Sequence, residues 1–138
     1  MSIRRFALVL ALGAVALVPM AASAATPTEQ HCILLSHSVT SVKPYQVVER
    51  QGRGSVTRLA GAQVFVRAEP GLTAQWLQLT VERHLAQMKG AHMGDCALDL
   101  SGVRVQVDSA GPGFAVKIIA SSPSQAKEVL RRAELLQH

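Results

Sequence analysis

The stretch VRVQVDSAGPGFAVKIIA, residues 103–120, decides the fold. Val103, Val105 and Val107 alternate with Arg104, Gln106 and Asp108, and Phe114, Val116, Ile118 and Ala120 alternate with Ala115, Lys117 and Ile119. A period of two sends successive side chains to opposite faces of a strand, so each run reads as a strand with one apolar face. Ser109–Gly113 lies between them and holds Gly-Pro-Gly. The pair therefore reads as an antiparallel hairpin with a longer, glycine-containing loop.

Working outward, Ser122, Pro123 and Gln125 have the layout of a helix start. The serine hydroxyl can accept a bond from the backbone three residues on, and proline presets the backbone at the first helical position. Ala126, Val129, Leu130, Ala133 and Leu136 then share one face, which predicts a helix reaching Leu136. Upstream, Thr73–Cys96 reads TAQWLQLTVERHLAQMKGAHMGDC. Ala74, Leu77, Val81, Leu85 and Met88 make a core stripe at helical spacing, with a stop expected at Gly90. Trp76, Leu79 and the stem of Arg83 fall on the far side, where a helix lying on a sheet ordinarily shows only polar groups.

Ahead of this helix the pattern is weaker. Gln63–Ala68 alternates, with Val64, Val66 and Ala68 on one side, and Pro70-Gly71 ends it. Tyr45–Arg50 and Ser55–Leu59 read as short strand-like pieces separated by Gln51-Gly52-Arg53-Gly54, with a second hairpin-type connection at Ala60-Gly61. Pro44 is expected to interrupt, and residues 25–41 to run extended with one apolar contact at Ile33–Leu35. The order strand, helix, strand, strand, helix predicts an α+β two-layer sandwich, with a small, mainly antiparallel sheet of three or four strands and two helices on one face. Right-handed crossover and hairpin pairing make it ferredoxin-like, the leading strand filling the fourth place.

Residues 1–24 read as a secretory signal peptide: Arg4 and Arg5, the apolar run Phe6–Met20, then Ala22-Ser23-Ala24 as the cleavage site. The expected organisation is a signal at 1–24, an N-terminal extended segment with short strands at 25–60, and an α/β core at 61–138. The expected location is periplasmic or secreted, with no membrane anchor after cleavage. Residues 25–138 carry 12 Lys and Arg against nine Asp and Glu, a formal charge of +3. The basic residues are scattered and aromatics are few, so no nucleic-acid partner is expected; an acidic partner surface is compatible with the charge.

Cys32 and Cys96 are an even pair in a chain bound for an oxidising compartment, which predicts one disulfide. Free thiols, or a thiolate metal site with His31 and His92, are the alternatives. The chain holds no GxSxG, HExxH, phosphate-binding glycine loop or CxxC, and none of Glu82, Asp95, Asp99 and Asp108 has a spacing that forces a carboxylate pair. No catalytic residue is therefore expected, and no cofactor, with copper as the one alternative. His84 and Met88 stand one helical turn apart, and His92 and Met93 follow in the loop, a thioether and imidazole set suited to copper. Trp76, Leu79 and Arg83 form an expected contact surface, either for the N-terminal segment or for a protein partner, because Trp and Arg are enriched among interface anchors. The sequence thus predicts an exported accessory or binding module without catalysis, for an unknown protein partner, with an exported copper-binding protein as the alternative.

Overall fold

The computed structural model describes residues 31–90 and 94–137. It is an α+β fold of four antiparallel strands and two helices: β1 (Val39–Gln51), β2 (Gly54–Arg67), α1 (Ala74–Gln87), β3 (Arg104–Ala110), β4 (Gly113–Ile119) and α2 (Pro123–Glu134). The sheet order is β1-β2-β4-β3. The expected signal peptide lies outside the described residues.

The N-terminal half differs most from the expectation. β1 runs unbroken through Pro44, and the pieces expected at 45–50 and 55–59 belong to two long strands. Ala60-Gly61 makes no turn; the register shifts there by one residue, Tyr45 facing Gly61 and Gln46 facing Leu59. Such a shift is a bulge, which bends a strand without ending it. β1 and β2 thereby bind the expected N-terminal segment to the sheet of the expected core. The stretch before β1 is no extended lead either, since Ile33–Ser36 form a 3-10 turn that buries Leu34.

In an antiparallel ladder alternate residues turn their backbone groups toward opposite neighbours. Arg67 donates its N–H to Ser38 on the β1 side, and Ala68 donates to Pro112 on the β4 side. Continuing the alternation, Val42 and Pro44 on β1 and Val105 and Val107 on β3 point their backbone groups out of the sheet. This is why Pro44 does not interrupt: at an outward edge position its missing N–H removes no ladder bond. The other outward groups are taken by glutamines. Gln78 Nε2 donates to the Val105 carbonyl at 3.0 Å, and Gln78 Oε1 accepts the Val107 N–H at 2.6 Å. Gln137 Nε2 donates to the Val42 carbonyl at 3.3 Å. Both edges are thus partly blocked against further strands.

β3 and β4 follow the alternation at 103–120, but Ala110 pairs directly with Gly113, leaving a two-residue turn in place of the longer loop. Gly111 at φ +56° followed by Pro112 has the sign pattern of a type II′ turn, whose twist matches the strands. Both helices start as their sequences direct. Thr73 Oγ1 accepts the Trp76 N–H at 3.1 Å, and Ser122 Oγ accepts the Gln125 N–H at 3.3 Å. In place of the reciprocal half of a capping box at α2, the Gln125 side-chain oxygen accepts from Ser121 Oγ, while its amide donates to the Ser101 carbonyl.

One buried cluster unites the molecule. Leu77, Val81 and Met88 from α1 and its extension, Val129 and Ala133 from α2, and Ala62, Val64, Val66, Val116 and Ile118 from the sheet all belong to it. The core stripes expected for both helices are those observed, with Ala74, Leu85 and Leu130 partly buried at the margins.

Candidate functional site

The disulfide expected between Cys32 and Cys96 is formed, with Cα atoms 5.3 Å apart. It ties the 3-10 turn at Ile33–Ser36 to the loop after α1 and leaves no free cysteine among the described residues. In that loop Cys96, Ala97 and Leu98 are buried, although the backbone there belongs to no strand or helix. Buried irregular backbone needs polar partners. Arg132 supplies two, reaching the carbonyls of Cys96 at 3.3 Å and Asp99 at 3.4 Å, while Glu128 holds the guanidinium at 2.6 Å. Hydrogen bonds from Arg131 and Arg132 in turn push the Glu128 carboxyl down to about 2.

The far side of α1 emerges as its spacing implies. Trp76 is 50% exposed and Leu79 53% exposed, and Arg83 is exposed beside them. His37, delivered by the turn that also exposes Leu35, meets the Trp76 ring edge-on with centroids 6.2 Å apart. Its Nδ1 lies 3.9 Å from Glu69 Oε2, too long for a hydrogen bond, and both its ring nitrogens are buried without a partner. The disulfide therefore joins the N-terminal turn to the loop after α1, and the His37 imidazole joins it to the outer stripe of α1 at Trp76.

Of the expected metal ligands, His92 and Met93 lie outside the described residues. Met88 is buried in the core cluster at 6% exposure. His84 Nε2 is buried without a hydrogen-bond partner, and desolvation lowers the His84 pKa below the ordinary imidazole value, favouring the neutral ring. Among the described residues no three His, Cys, Asp or Glu side chains converge as a metal-holding group, and no helix is long and apolar enough to cross a membrane.

The sheet face turned away from the core cluster has no counterpart in the expected sites. Register places Lys43, Gln63, Lys117 and Gln106 in one row across it, with Ser41, Phe65, Ala115 and Asp108 in the next. Lys43 Nζ stands 5.4 Å from the Phe65 ring centroid and Lys117 Nζ 5.6 Å from that of Tyr45. Lys117 also pairs with Asp108 at 2.8 Å, which lowers the Asp108 pKa and raises that of Lys117. The sequence carried a legible alternation in β3, β4 and the end of β2 from Gln63; the Lys43 to Phe65 and Tyr45 to Lys117 contacts depend on the pairing with β1. Comparison with protein-family models, with curated proteins and with solved structures gives no match to this chain.

Proposed function

We propose that the chain is an exported binding module without catalysis, a two-layer ferredoxin-like sandwich in which β1 takes the place of the fourth strand. The strand order β1-β2-β4-β3 supports the arrangement. The bridged cysteines and the signal-like residues 1–24 support export to the periplasm or beyond. The observation that carries the binding reading is the outer stripe of α1. Trp76 meets His37 along one ring edge but remains half-exposed beside an exposed Leu79 and Arg83, and an indole offers a large, stiff contact area to a partner. Trp76 is the only tryptophan, so its emission reports on the patch directly. Adding fractionated extract from the compartment of the protein should blue-shift that emission, and Leu79→Asp should abolish the shift without moving the urea midpoint. No shift from any fraction would remove this reading.

A second reading is copper binding, favoured by the unpartnered His84 Nε2 one turn from Met88. Copper would take Met88 sulfur out of the core cluster, so binding is expected to be weak and confined to Cu(I), and lost on replacing His84 and His92 together. No tight zinc site is expected, since bridged Cys96 has no thiolate to give. Competition with a Cu(I) chelator tests it, and an undisturbed chelator signal would end it.

A further inference from the structure

The charge of the chain is unevenly placed. The face of the sheet turned from the core carries Lys43, Arg67, Arg104 and Lys117, and Arg58 continues it as the partner of Val47 along the β1–β2 ribbon. Its acids are Asp108 and Glu49, already engaged by Lys117 and Arg58. Among the described residues, five of the 12 basic residues and two of the eight acidic ones lie here, so this face holds three of the excess of four positive charges. The other described residues are close to balance, with seven basic and six acidic. Lys43, Arg67 and Arg104 pair with no carboxylate among the described residues.

Two of these unpaired cations flank a cleft of about 430 Å³ lined by Thr40, Ser41, Phe65 and Pro112 as well as Lys43 and Arg67. No acid lines it. The Phe65 ring beside Lys43 steadies that ammonium, since a cation within about 6 Å of a ring face is attracted to it. We propose that this face docks an acidic polypeptide segment, with one carboxylate seated in the cleft between Lys43 and Arg67.

A polypeptide fits better than the other polyanions. Single-stranded nucleic acid needs free ring faces on which bases stack along a continuous basic track. Here lysines stand over Phe65 and Tyr45, and neutral Gln63 and Ala115 separate the cations. The face serves rather than the edges, because Gln78, Gln137 and Pro44 occupy the outward backbone positions an added strand would use. This surface is separate from the Trp76 patch and stands or falls independently of it.

The test uses a fluorescein-labelled peptide of alternating glutamate and serine, read by anisotropy against the disulfide-bonded protein. Binding at low ionic strength should fade as salt is added. Lys43→Glu with Arg67→Glu should weaken it by roughly tenfold or more, since like charges then face each other. Lys89→Glu with Lys127→Glu, an equal change of net charge off this face, should leave it within about twofold, and Trp76→Ala likewise. Equal loss in both double variants would overturn the proposal, because net charge alone would then explain it. So would absence of peptide binding, whether or not a labelled oligothymidylate or phosphatidylglycerol vesicles bind instead. Far-ultraviolet circular dichroism confirms folding of each variant, and Lys43→Gln with Arg67→Gln provides a milder second pair.

Discussion

The β1–β2 ribbon from Gln46 to Leu59 and the loop from Cys96 to Val103 hold their shapes by opposite means. The ribbon has a regular ladder, Gln46 opposite Leu59 through to Gln51 opposite Gly54. Yet β2 meets β4 only over Gly61–Arg67, so the ribbon has no third strand. Val48 is 69% exposed and Val56 48% exposed. The loop lacks a ladder but buries Cys96, Ala97 and Leu98, is bridged to Cys32, and has its carbonyls taken by Arg132 and Gln125. Two strands alone are marginal in water, and local stability follows apolar burial and satisfied polar groups more than regular hydrogen bonding. The irregular region should therefore be the harder to open.

The largest effect should come from releasing the loop. Cys32→Ser with Cys96→Ser frees residues 64 apart in sequence. On the chain-entropy model this costs about 4 kcal/mol, read as a fall in the urea midpoint. A loss below about 1 kcal/mol would mean that Arg132 and the buried leucine hold the loop unaided. Next comes the root of the ribbon, Gly61, where β2 leaves β4. At φ +153° a Cβ there would lie 1.8 Å from the Ile118 carbonyl oxygen. Gly61→Ala should cost about 2–3 kcal/mol by overpacking. The loss should appear in global unfolding, because the clash is with β4 and not within the ribbon.

Arg132→Met keeps the stem packed and removes the donor to two buried-loop carbonyls, with an expected cost of about 1–2 kcal/mol in the same assay. Its partner gives a pH dependence. Glu128 has an ordinary value of 4.5 and sits at about 2 in the fold, so its contribution is complete above about 4.5. It fades as pH falls and is gone below about 2. The thermal midpoints of wild type and Glu128→Gln should therefore differ at neutral pH and converge between pH 4.5 and about 2. A difference that persists at the acid end would exclude the carboxylate as its cause.

What could be read in advance was whatever repeats over a few residues. The alternation from Val103 to Ile118, the stripes of α1 and α2, the Ser122 cap and the solvent side at Trp76 and Leu79 are local, and two cysteines allow one pairing. What escaped depends on partners distant in sequence. Pro44 argues against a strand unless its N–H position faces outward, a fact of register with β2. Gln78, Gln137 and Arg132 look like ordinary surface residues until the backbone they serve, 27 to 95 residues away, is brought beside them. The cationic face is invisible for the same reason: Lys43, Arg67, Arg104 and Lys117 show no common pattern along the chain and meet only across four strands.

The smallest expected effect bears most directly on the ribbon. Val48 faces Thr57 and Val56 faces Glu49, and neither valine belongs to the buried cluster. Replacing each with threonine keeps the branched shape that suits a strand and adds a hydroxyl that water can satisfy. Global stability should change by no more than about 0.5 kcal/mol for either one. Amide exchange should meanwhile show the ribbon opening well below the global free energy, while amides near Cys96 exchange only with global unfolding. If Val48→Thr instead costs as much as Arg132→Met, the ribbon is coupled to the core beyond its ladder. The contrast between a regular but open region and an irregular but closed one would then fail at its exposed end.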